Sequence, residues 1–129
     1  MKKILRGSII TGLIMVMFST VAFAGTTYSY YNTTVGKFNG SGYSGYQTKV
    51  TSGANGLLKS STVGGNYTVD ARMSSTAGNG AWLRNVDDGT VAYLDSPVSQ
   101  VNGCSVRCQF SNDITTPVDV QVTGYWKCN

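Results

Sequence analysis

Residues 118–128 read Val-Asp-Val-Gln-Val-Thr-Gly-Tyr-Trp-Lys-Cys. Every second residue from Val118 to Cys128 is apolar or small, and the residues between them are polar or carry a hydroxyl group. Hydrophobicity that alternates with a period of two indicates a β-strand with one face buried and the other in water. Such strands are typical of antiparallel sheets.

Other stretches alternate in the same way. The apolar side chains fall on the odd positions of residues 66–73 and on the even positions of residues 104–110. A third stretch, residues 46–51, also alternates between two sets of side chains. One set is Tyr46, Thr48 and Val50, and the other is Gln47, Lys49 and Thr51. Each stretch predicts a strand that buries one of its two faces.

Glycine-rich turns separate these strands. Residues 64–66 and 78–80 each combine Gly with Asn. We interpret Asp87-Asp88-Gly89 as a hairpin loop that joins residues 81–86 to residues 90–94, with Gly89 at a position of positive φ. Seven or eight short strands at this spacing predict an all-β fold, a small antiparallel β-sandwich, with an open barrel as the alternative.

Residues 1–24 have the three parts of a secretory signal peptide. The basic residues Lys2, Lys3 and Arg6 precede a mostly apolar run over residues 8–21, and Ala22-Phe23-Ala24 forms a cleavage site. The apolar run is shorter than the roughly 18 to 20 residues that span a bilayer. We therefore expect cleavage between Ala24 and Gly25, one domain over residues 25–129, no transmembrane anchor in the mature form, and secretion from a bacterial cell.

Charge and composition exclude several classes of function. The whole chain carries a net charge of +4, but Lys2, Lys3 and Arg6 leave with the signal peptide, so 7 basic residues face 6 acidic ones and the mature charge is +1. Such a chain has no basic patch for nucleic acid. The absence of His excludes a Ser-His-Asp triad and a His-ligated zinc site, and every acid is Asp.

Few side chains remain for chemistry. We expect no enzyme activity, no metal and no cofactor, because general acid–base catalysis needs a group whose pKa lies near the working pH. Asp87 and Asp88 are interpreted as solvated turn residues. A calcium site around Asn85, Asp87 and Asp88 is the alternative, since hard cations prefer clustered oxygen ligands.

The number of cysteines is odd, which is unusual in an exported chain. Cys104 and Cys108 would lie about 13 Å apart on one strand, which exceeds the limit of about 7 Å for a disulfide. We therefore predict a disulfide between Cys104 and Cys128, with Cys108–Cys128 as the alternative. The third thiol is then either buried and free, or it links two copies as a disulfide-linked homodimer.

Aromatic side chains are the main binding candidates. Alternation places Tyr30 and Tyr125 outward, and Tyr43 lies in a Gly- and Ser-rich stretch, residues 36–45, that we interpret as a loop. Exposed rings next to hydroxyl and amide groups stack on sugars, so the expected partner is a cell-wall or glycan component. Core packing is the expectation for three other rings, those of Tyr67, Trp82 and Trp126.

Two motifs resemble those of small secreted β-rich proteins of Gram-positive bacteria. One is Trp82-Leu83-Arg84-Asn85 followed by Asp87-Asp88-Gly89, and the other is Val120-Gln121-Val122-Thr123-Gly124-Tyr125-Trp126. The chain is also distantly similar to lactococcin-type bacteriocins. That resemblance implies export by a cleaved signal peptide, a small β-sandwich and action on a neighbouring cell, and it supplies no catalytic residues.

These observations favour an exported, non-enzymatic protein that binds a component of the cell envelope, with a bacteriocin-like activity as its most concrete form. The alternative is a structural protein of the extracellular matrix that associates with itself. The chain is rich in Thr, Val and Tyr and poor in charge, a composition that favours pairing between the edges of sheets.

Overall fold

Two β-sheets face each other in the computed structural model, which describes residues 23–129. The strands are β1 (Phe23–Ala24), β2 (Ser29–Val35), β3 (Ser41–Thr48), β4 (Gly56–Val63), β5 (Val69–Ser75), β6 (Gly78–Asn79), β7 (Leu83–Val86), β8 (Val91–Leu94), β9 (Ser105–Asn112) and β10 (Val120–Lys127). The predicted all-β sandwich is confirmed. Nine of the described strands pair antiparallel, rather than seven or eight, and the two-residue β1 lies parallel to β3.

Most successive strands lie in opposite sheets. Sheet A has the order β1-β3-β9-β5-β6, with β7 also paired to β5, and sheet B has the order β2-β10-β4-β8. The chain therefore crosses between the sheets after nearly every strand. In the part of the chain that the structure describes, no helix is long and apolar enough to cross a membrane.

The space between the sheets is filled by the apolar faces of the predicted strands. The alternation expected in residues 66–73 and 104–110 is confirmed, since the predicted inner sets are buried or packed on the core. In residues 118–128 it is confirmed from Val120 onward, whereas the prediction is wrong for Val118, which precedes β10 and is 43% exposed. The Tyr31 and Phe110 rings join the two sheets with centroids 4.8 Å apart. The buried apolar residues are Tyr31, Val35, Leu58, Val63, Val69, Ala71, Met73, Val86, Leu94, Val106, Cys108, Phe110, Val120, Val122, Trp126 and Cys128.

The polar side chains Gln47, in β3, and Lys49, just after it, are buried. Gln47 and Lys49 are 2% and 1% exposed, whereas Tyr46 on the other face is 55% exposed. Gln47 Nε2 donates to the Ser29 hydroxyl (2.6 Å) and to the Trp126 carbonyl (2.9 Å). Lys49 Nζ donates to the carbonyls of Ala54 and Cys128. These bonds offset the cost of removing an amide and an ammonium group from water.

The Asp87-Asp88-Gly89 segment is a turn, but the prediction of a hairpin is wrong. Strand β7 before the turn pairs with β5 in sheet A, and strand β8 after it pairs with β4 in sheet B. The turn therefore carries the chain from one sheet to the other. Gly89 has the expected positive φ of 72°.

The two turn carboxylates have structural partners. Asp87 Oδ1 accepts the Asp88 N–H (2.8 Å), and Asp88 Oδ1 accepts the Val63 N–H of β4 (2.7 Å). Among the described residues, no group of three or more acidic, Cys or His side chains could hold a metal ion. The calcium alternative around Asn85 thus gains no support from the arrangement of these side chains.

The structure corrects the predicted disulfide, because Cys104, Cys108 and Cys128 are all free thiols. Neither predicted pair, Cys104–Cys128 nor Cys108–Cys128, is bonded. Cys108 lies in the middle of β9 with its side chain fully buried, and its burial raises the pKa of that thiol.

Cys104 and Cys128 are not bonded to each other, and both bind Lys49 through their backbone carbonyls. The Cys104 carbonyl accepts the Lys49 N–H (2.8 Å), and the Cys128 carbonyl accepts a bond from Lys49 Nζ (2.6 Å). Burial raises the pKa of the Cys128 thiol to about 11, an effect that Lys49 opposes and Cys104 reinforces. Burial also lowers the pKa of Lys49, and charge on the two thiols opposes that change. A disulfide-linked homodimer stays a prediction, and Cys104 is the least buried thiol for it.

The predicted signal peptide lies outside the described residues except for Phe23–Ala24. At the predicted cleavage point, the Gly25 N–H donates to the Thr48 carbonyl (2.9 Å), and the Gly25 carbonyl accepts the Asn129 N–H (2.8 Å). A Cβ atom on Gly25 would lie 2.5 Å from the Cys128 sulfur. Only glycine fits this close approach between β3 and the segment after β10.

Candidate functional site

The three candidate tyrosines lie on two opposite faces of the sandwich. Tyr30 and Tyr125 are cross-strand partners on the outer face of sheet B, with rings 5.5 Å apart, and are 58% and 46% exposed. Tyr43 is 39% exposed on the outer face of sheet A. The exposure predicted for all three is confirmed, but they do not form a single site.

Tyr43 belongs to a strand and not to the predicted loop. The stretch at residues 36–45 contains the first half of β3. Its glycines serve packing as well as turning. A Cβ atom on Gly42 would lie 2.6 Å from the Thr34 carbonyl of β2. The close approach of β2 and β3 thus accounts for a glycine that is typical of a loop in the sequence.

Tyr43 is part of a larger group of side chains on the outer face of sheet A. We call this group the aromatic–arginine face. Its members come from β3, β9, β5 and the segment before β7, and they are Tyr43, Tyr46, Arg107, Gln109, Arg72 and Trp82.

A β-bulge places both tyrosines of β3 on this face. Tyr43 pairs with Gln109 and Tyr46 pairs with Arg107, so β3 has one more residue between the two pairs than β9 has. In a regular strand, residues three apart point to opposite faces, but the extra residue turns Tyr46 outward. The Ser44 hydroxyl accepts the Cys108 N–H (2.8 Å) at the bulge, which satisfies a donor that the ladder leaves open.

The guanidinium group of Arg107 lies against both rings. Its Cζ atom is 3.7 Å from the centroid of the Tyr43 ring and 5.1 Å from that of Tyr46. Contacts of this kind are electrostatically favourable, by about 0.5–1 kcal/mol each at exposed sites. The two tyrosines therefore restrict the orientation of the Arg107 fork.

A second arginine is held beside the first. The Arg72 guanidinium lies 4.3 Å from the centroid of the Trp82 ring, and its Nε donates to Gln109 Oε1 (2.8 Å). Gln109 Nε2 in turn donates to the Ser41 hydroxyl (3.2 Å) and to the Tyr43 hydroxyl (3.4 Å). This chain of contacts fixes the amide and both rings relative to each other.

Trp82 therefore lies on the surface face rather than in the core. It is half-buried under the Arg72 guanidinium and is not part of the core cluster, so the core prediction is wrong for this ring. The same prediction is confirmed for Trp126, which is fully buried, and for Tyr67, which packs against the core.

A cavity of about 160 Å³ opens at one end of the aromatic–arginine face. It is lined by Tyr46, Ser74, Ser75, Thr76 and Arg107. The lining contains hydroxyl groups and one cation, and it contains no carboxylate.

The nearest acid on β5 is already paired. Asp70 accepts a bond from Arg84 Nη1 (2.6 Å) and another from the Asn85 N–H (3.1 Å). This is the one ion pair among the described residues. The positive charges of Arg72 and Arg107 are therefore not neutralised by a direct ion pair in the part of the chain that the structure describes.

Sheet B carries a different group on its outer face. The Tyr28 ring lies 4.5 Å from Lys59 Nζ and 4.9 Å from Lys127 Nζ. Tyr125 lies between Tyr30 and Lys59 in register. This group offers rings and amines, but within residues 23–129 the structure shows no hydrogen-bonded network among them.

Sequence reasoning found Tyr43 but missed the rest of the aromatic–arginine face. Arg107 and Gln109 could be found, since they alternate with the buried residues of 104–110 and therefore point outward. Tyr46 could not be placed without knowledge of the bulge. Comparison with known proteins finds no match to a family model, to a curated protein or to a solved structure.

Proposed function

We propose that this protein is an exported, non-enzymatic β-sandwich that binds a component of the bacterial cell envelope through its aromatic–arginine face. The observation that carries the proposal is the contact of the Arg107 guanidinium with both Tyr43 and Tyr46, next to the Gln109 network. Fixing the orientation of a flexible side chain costs conformational entropy. An arginine that two rings already hold in place therefore loses less conformational entropy when it binds a ligand.

The chemistry of this face suits a polymer of sugars. Tyrosine and tryptophan rings have flat apolar surfaces that stack on sugar rings, and their polar atoms reach neighbouring hydroxyl groups. The arginines supply N–H donors for sugar oxygens. The outer face of sheet B is the competing surface, and we favour sheet A because its groups are linked by hydrogen bonds and border a cavity.

Sedimentation with isolated Gram-positive cell walls tests the proposal. The purified protein should sediment with the walls, and Tyr43→Ala should weaken binding by roughly two- to tenfold, the range expected for loss of one aromatic contact. Tyr125→Ala is the matched control, because it removes a similarly exposed ring from the opposite face. Normal binding by Tyr43→Ala together with weak binding by Tyr125→Ala would contradict the proposal and assign binding to sheet B.

The bacteriocin-like form of the proposal has a separate test. The purified protein is added to growing cultures of Gram-positive strains, and inhibition that Tyr43→Ala reduces in parallel with wall binding would support it. Wall binding without inhibition of any strain would remove the antimicrobial form and leave the binding proposal intact.

One observation favours the second candidate function, self-association. Strand β8 lies at the edge of sheet B, and its sequence Val-Ala-Tyr-Leu has no charge. Val91 and Tyr93 are 64% and 69% exposed on it. Uncharged edge strands pair readily with a strand of another molecule. A dimer in analytical ultracentrifugation that Val91→Lys dissociates would support this function, and a monomer at millimolar concentration would exclude it.

A further inference from the structure

We infer that the cavity beside Arg107 is a subsite for an anionic group, a phosphate or a carboxylate, of the ligand that the aromatic–arginine face binds. The inference rests on the proposed function for the identity of the larger ligand. It adds the chemical class of that ligand, which is an acidic polymer rather than a neutral glycan.

The first argument is the set of donors that Arg107 leaves open. The Arg107 Cζ atom lies 3.7 Å from the centroid of the Tyr43 ring and 5.1 Å from that of the Tyr46 ring, and cation–π contacts of this kind do not use the N–H donors. Within residues 23–129, the Arg107 side chain makes no hydrogen bond and no ion pair with the protein. A guanidinium fork matches the spacing of two oxygens on a carboxylate or a phosphate, and stacking leaves that edge free.

The second argument is the rest of the cavity wall. Ser74 is the cross-strand partner of Arg107, and Ser75 and Thr76 follow it at the end of β5. The Ser75 hydroxyl donates to the Gly78 carbonyl (2.8 Å), whereas no hydrogen bond with described residues occupies the hydroxyls of Ser74 and Thr76. These two hydroxyls are donors for anion oxygens that the Arg107 fork does not reach.

The third argument is size and charge. The cavity of about 160 Å³ is several times the roughly 30 Å³ that one water molecule occupies in the liquid, so it holds a group as large as a phosphate. Asp70 is engaged by Arg84, and Arg72 lies diagonally across β5 and β9 from Arg107. Two cations in this arrangement raise the local concentration of an anion and match a polymer that carries charge at intervals.

Arginine variants provide the main test. Arg107→Gln should bind intact walls about 10- to 100-fold more weakly, the loss expected for a charge-assisted hydrogen-bonded contact. Arg107→Lys keeps the charge without the fork, so it should recover only part of that loss. The matched control is Arg84→Gln, since Arg84 is 66% exposed, is paired with Asp70 and lies outside the cavity.

The source of the anion is distinguished by treating the walls. Walls stripped of phosphodiester-linked polymers lose binding if the group is a phosphate, and walls with blocked carboxyl groups lose binding if it is a carboxylate. Either loss supports the inference, and wild-type binding that survives both treatments overturns it.

The two proposals fail in different ways. If Tyr43→Ala weakens binding while Arg107→Gln binds like the wild type, the anion subsite is refuted and the proposed function stands. If the wild-type protein does not bind walls at all, the proposed function fails first. In that case, titration with inorganic phosphate still tests the cavity, because the NMR signals of Ser74, Thr76 and the Arg107 side chain should shift in the wild type, and unshifted signals overturn the subsite.

Discussion

Gly124 is the residue of β10 whose replacement should test the packing between the sheets most directly. A Cβ atom at this position would lie 2.4 Å from the Lys59 carbonyl oxygen of β4, 2.6 Å from the Tyr31 hydroxyl and 2.8 Å from Tyr31 Cζ. Real Cβ atoms essentially never approach other heavy atoms below 3.0 Å, so Gly124→Ala forces its neighbours to move.

Neither neighbour can move freely. The Lys59 carbonyl belongs to the backbone of β4, whose residue Lys59 is paired with Tyr125 on one side and Val91 on the other. The Tyr31 ring is 2% exposed and lies 4.8 Å from the Phe110 ring of the opposite sheet. Overpacking of a filled core costs about 1–3 kcal/mol. We expect Gly124→Ala to lower the free energy of unfolding by an amount in the upper part of that range, because the added methyl group would meet backbone on one side and a buried ring on the other.

The assay is urea unfolding, and Gly45→Ala provides the matched control. Gly45 lies in the exposed bulge of β3, has no positive φ, and has no described atom within 4 Å of the position that an added methyl group would take. Its replacement should be neutral or stabilise the protein by about 0.4–1 kcal/mol through the unfolded chain. If Gly124→Ala and Gly45→Ala have unfolding free energies within about 0.5 kcal/mol of each other, well below the overpacking range, the packing argument is refuted.

A double variant separates the two clashes. Tyr31→Phe removes a buried hydroxyl that has no hydrogen-bond partner among the described residues, so alone it should be close to neutral. In the Gly124→Ala background it removes the contact at 2.6 Å with the hydroxyl and leaves the contacts with the Lys59 carbonyl and with ring atom Cζ at 2.8 Å. The double variant should therefore regain part of the lost stability, and no regain would place the strain at the Lys59 carbonyl and the ring rather than at the hydroxyl.

Three further predictions follow from the buried polar groups. With a thiol reagent, Cys104 should react in the folded protein while Cys108 and Cys128 react only after unfolding, and a count of one reactive thiol in denaturant would show that a disulfide forms after all. Folding raises the pKa of the Cys128 thiol from its unfolded value of 9.0 to about 11. The stability that the neutral thiol contributes is therefore present below pH 9 and is lost as the pH rises to about 11. Cys128→Ala should flatten that part of the pH–stability curve. Asp70→Ala leaves the Asn85 N–H and Arg84 without their acceptor, and it should cost about 1.5–3 kcal/mol in thermal or urea unfolding, whereas Arg84→Gln should cost less.

Alternation in the sequence predicts most of the fold because a strand with one buried face must alternate. It succeeds for β5 and β10 and for β9 as far as Phe110, where the inward residues are apolar or small. For residues 46–51 it predicts that one face is buried but not which one, and the buried face carries Gln47 and Lys49. Their burial depends on acceptors and donors from β2, β10 and the following loop, and no local pattern in the sequence shows that these partners will be within reach.

Pairing between strands is the second point at which local reasoning fails. The Asp87-Asp88-Gly89 turn has the composition of a hairpin loop, and Gly89 adopts the conformation such a loop needs. The sheet that the next strand joins depends instead on where a strand with a free edge is available for pairing. Strand β8 pairs with β4, and the Asp88 carboxylate binds the Val63 N–H of that same strand, which stabilises the crossing.

The candidate site follows from the bulge in β3 more than from any single residue. If β3 continued as a regular strand through Ser44 and Gly45, Tyr43 and Tyr46 would lie three residues apart and point to opposite faces, so Arg107 would meet only one ring. The same bulge turns Gln47 inward at the end of β3 and Lys49 inward just after it, and the hydrogen bonds described above must offset their burial. The exposed ring pair and the polar core are therefore two results of one backbone irregularity, which links an otherwise costly feature of the interior to the surface proposed to bind the envelope.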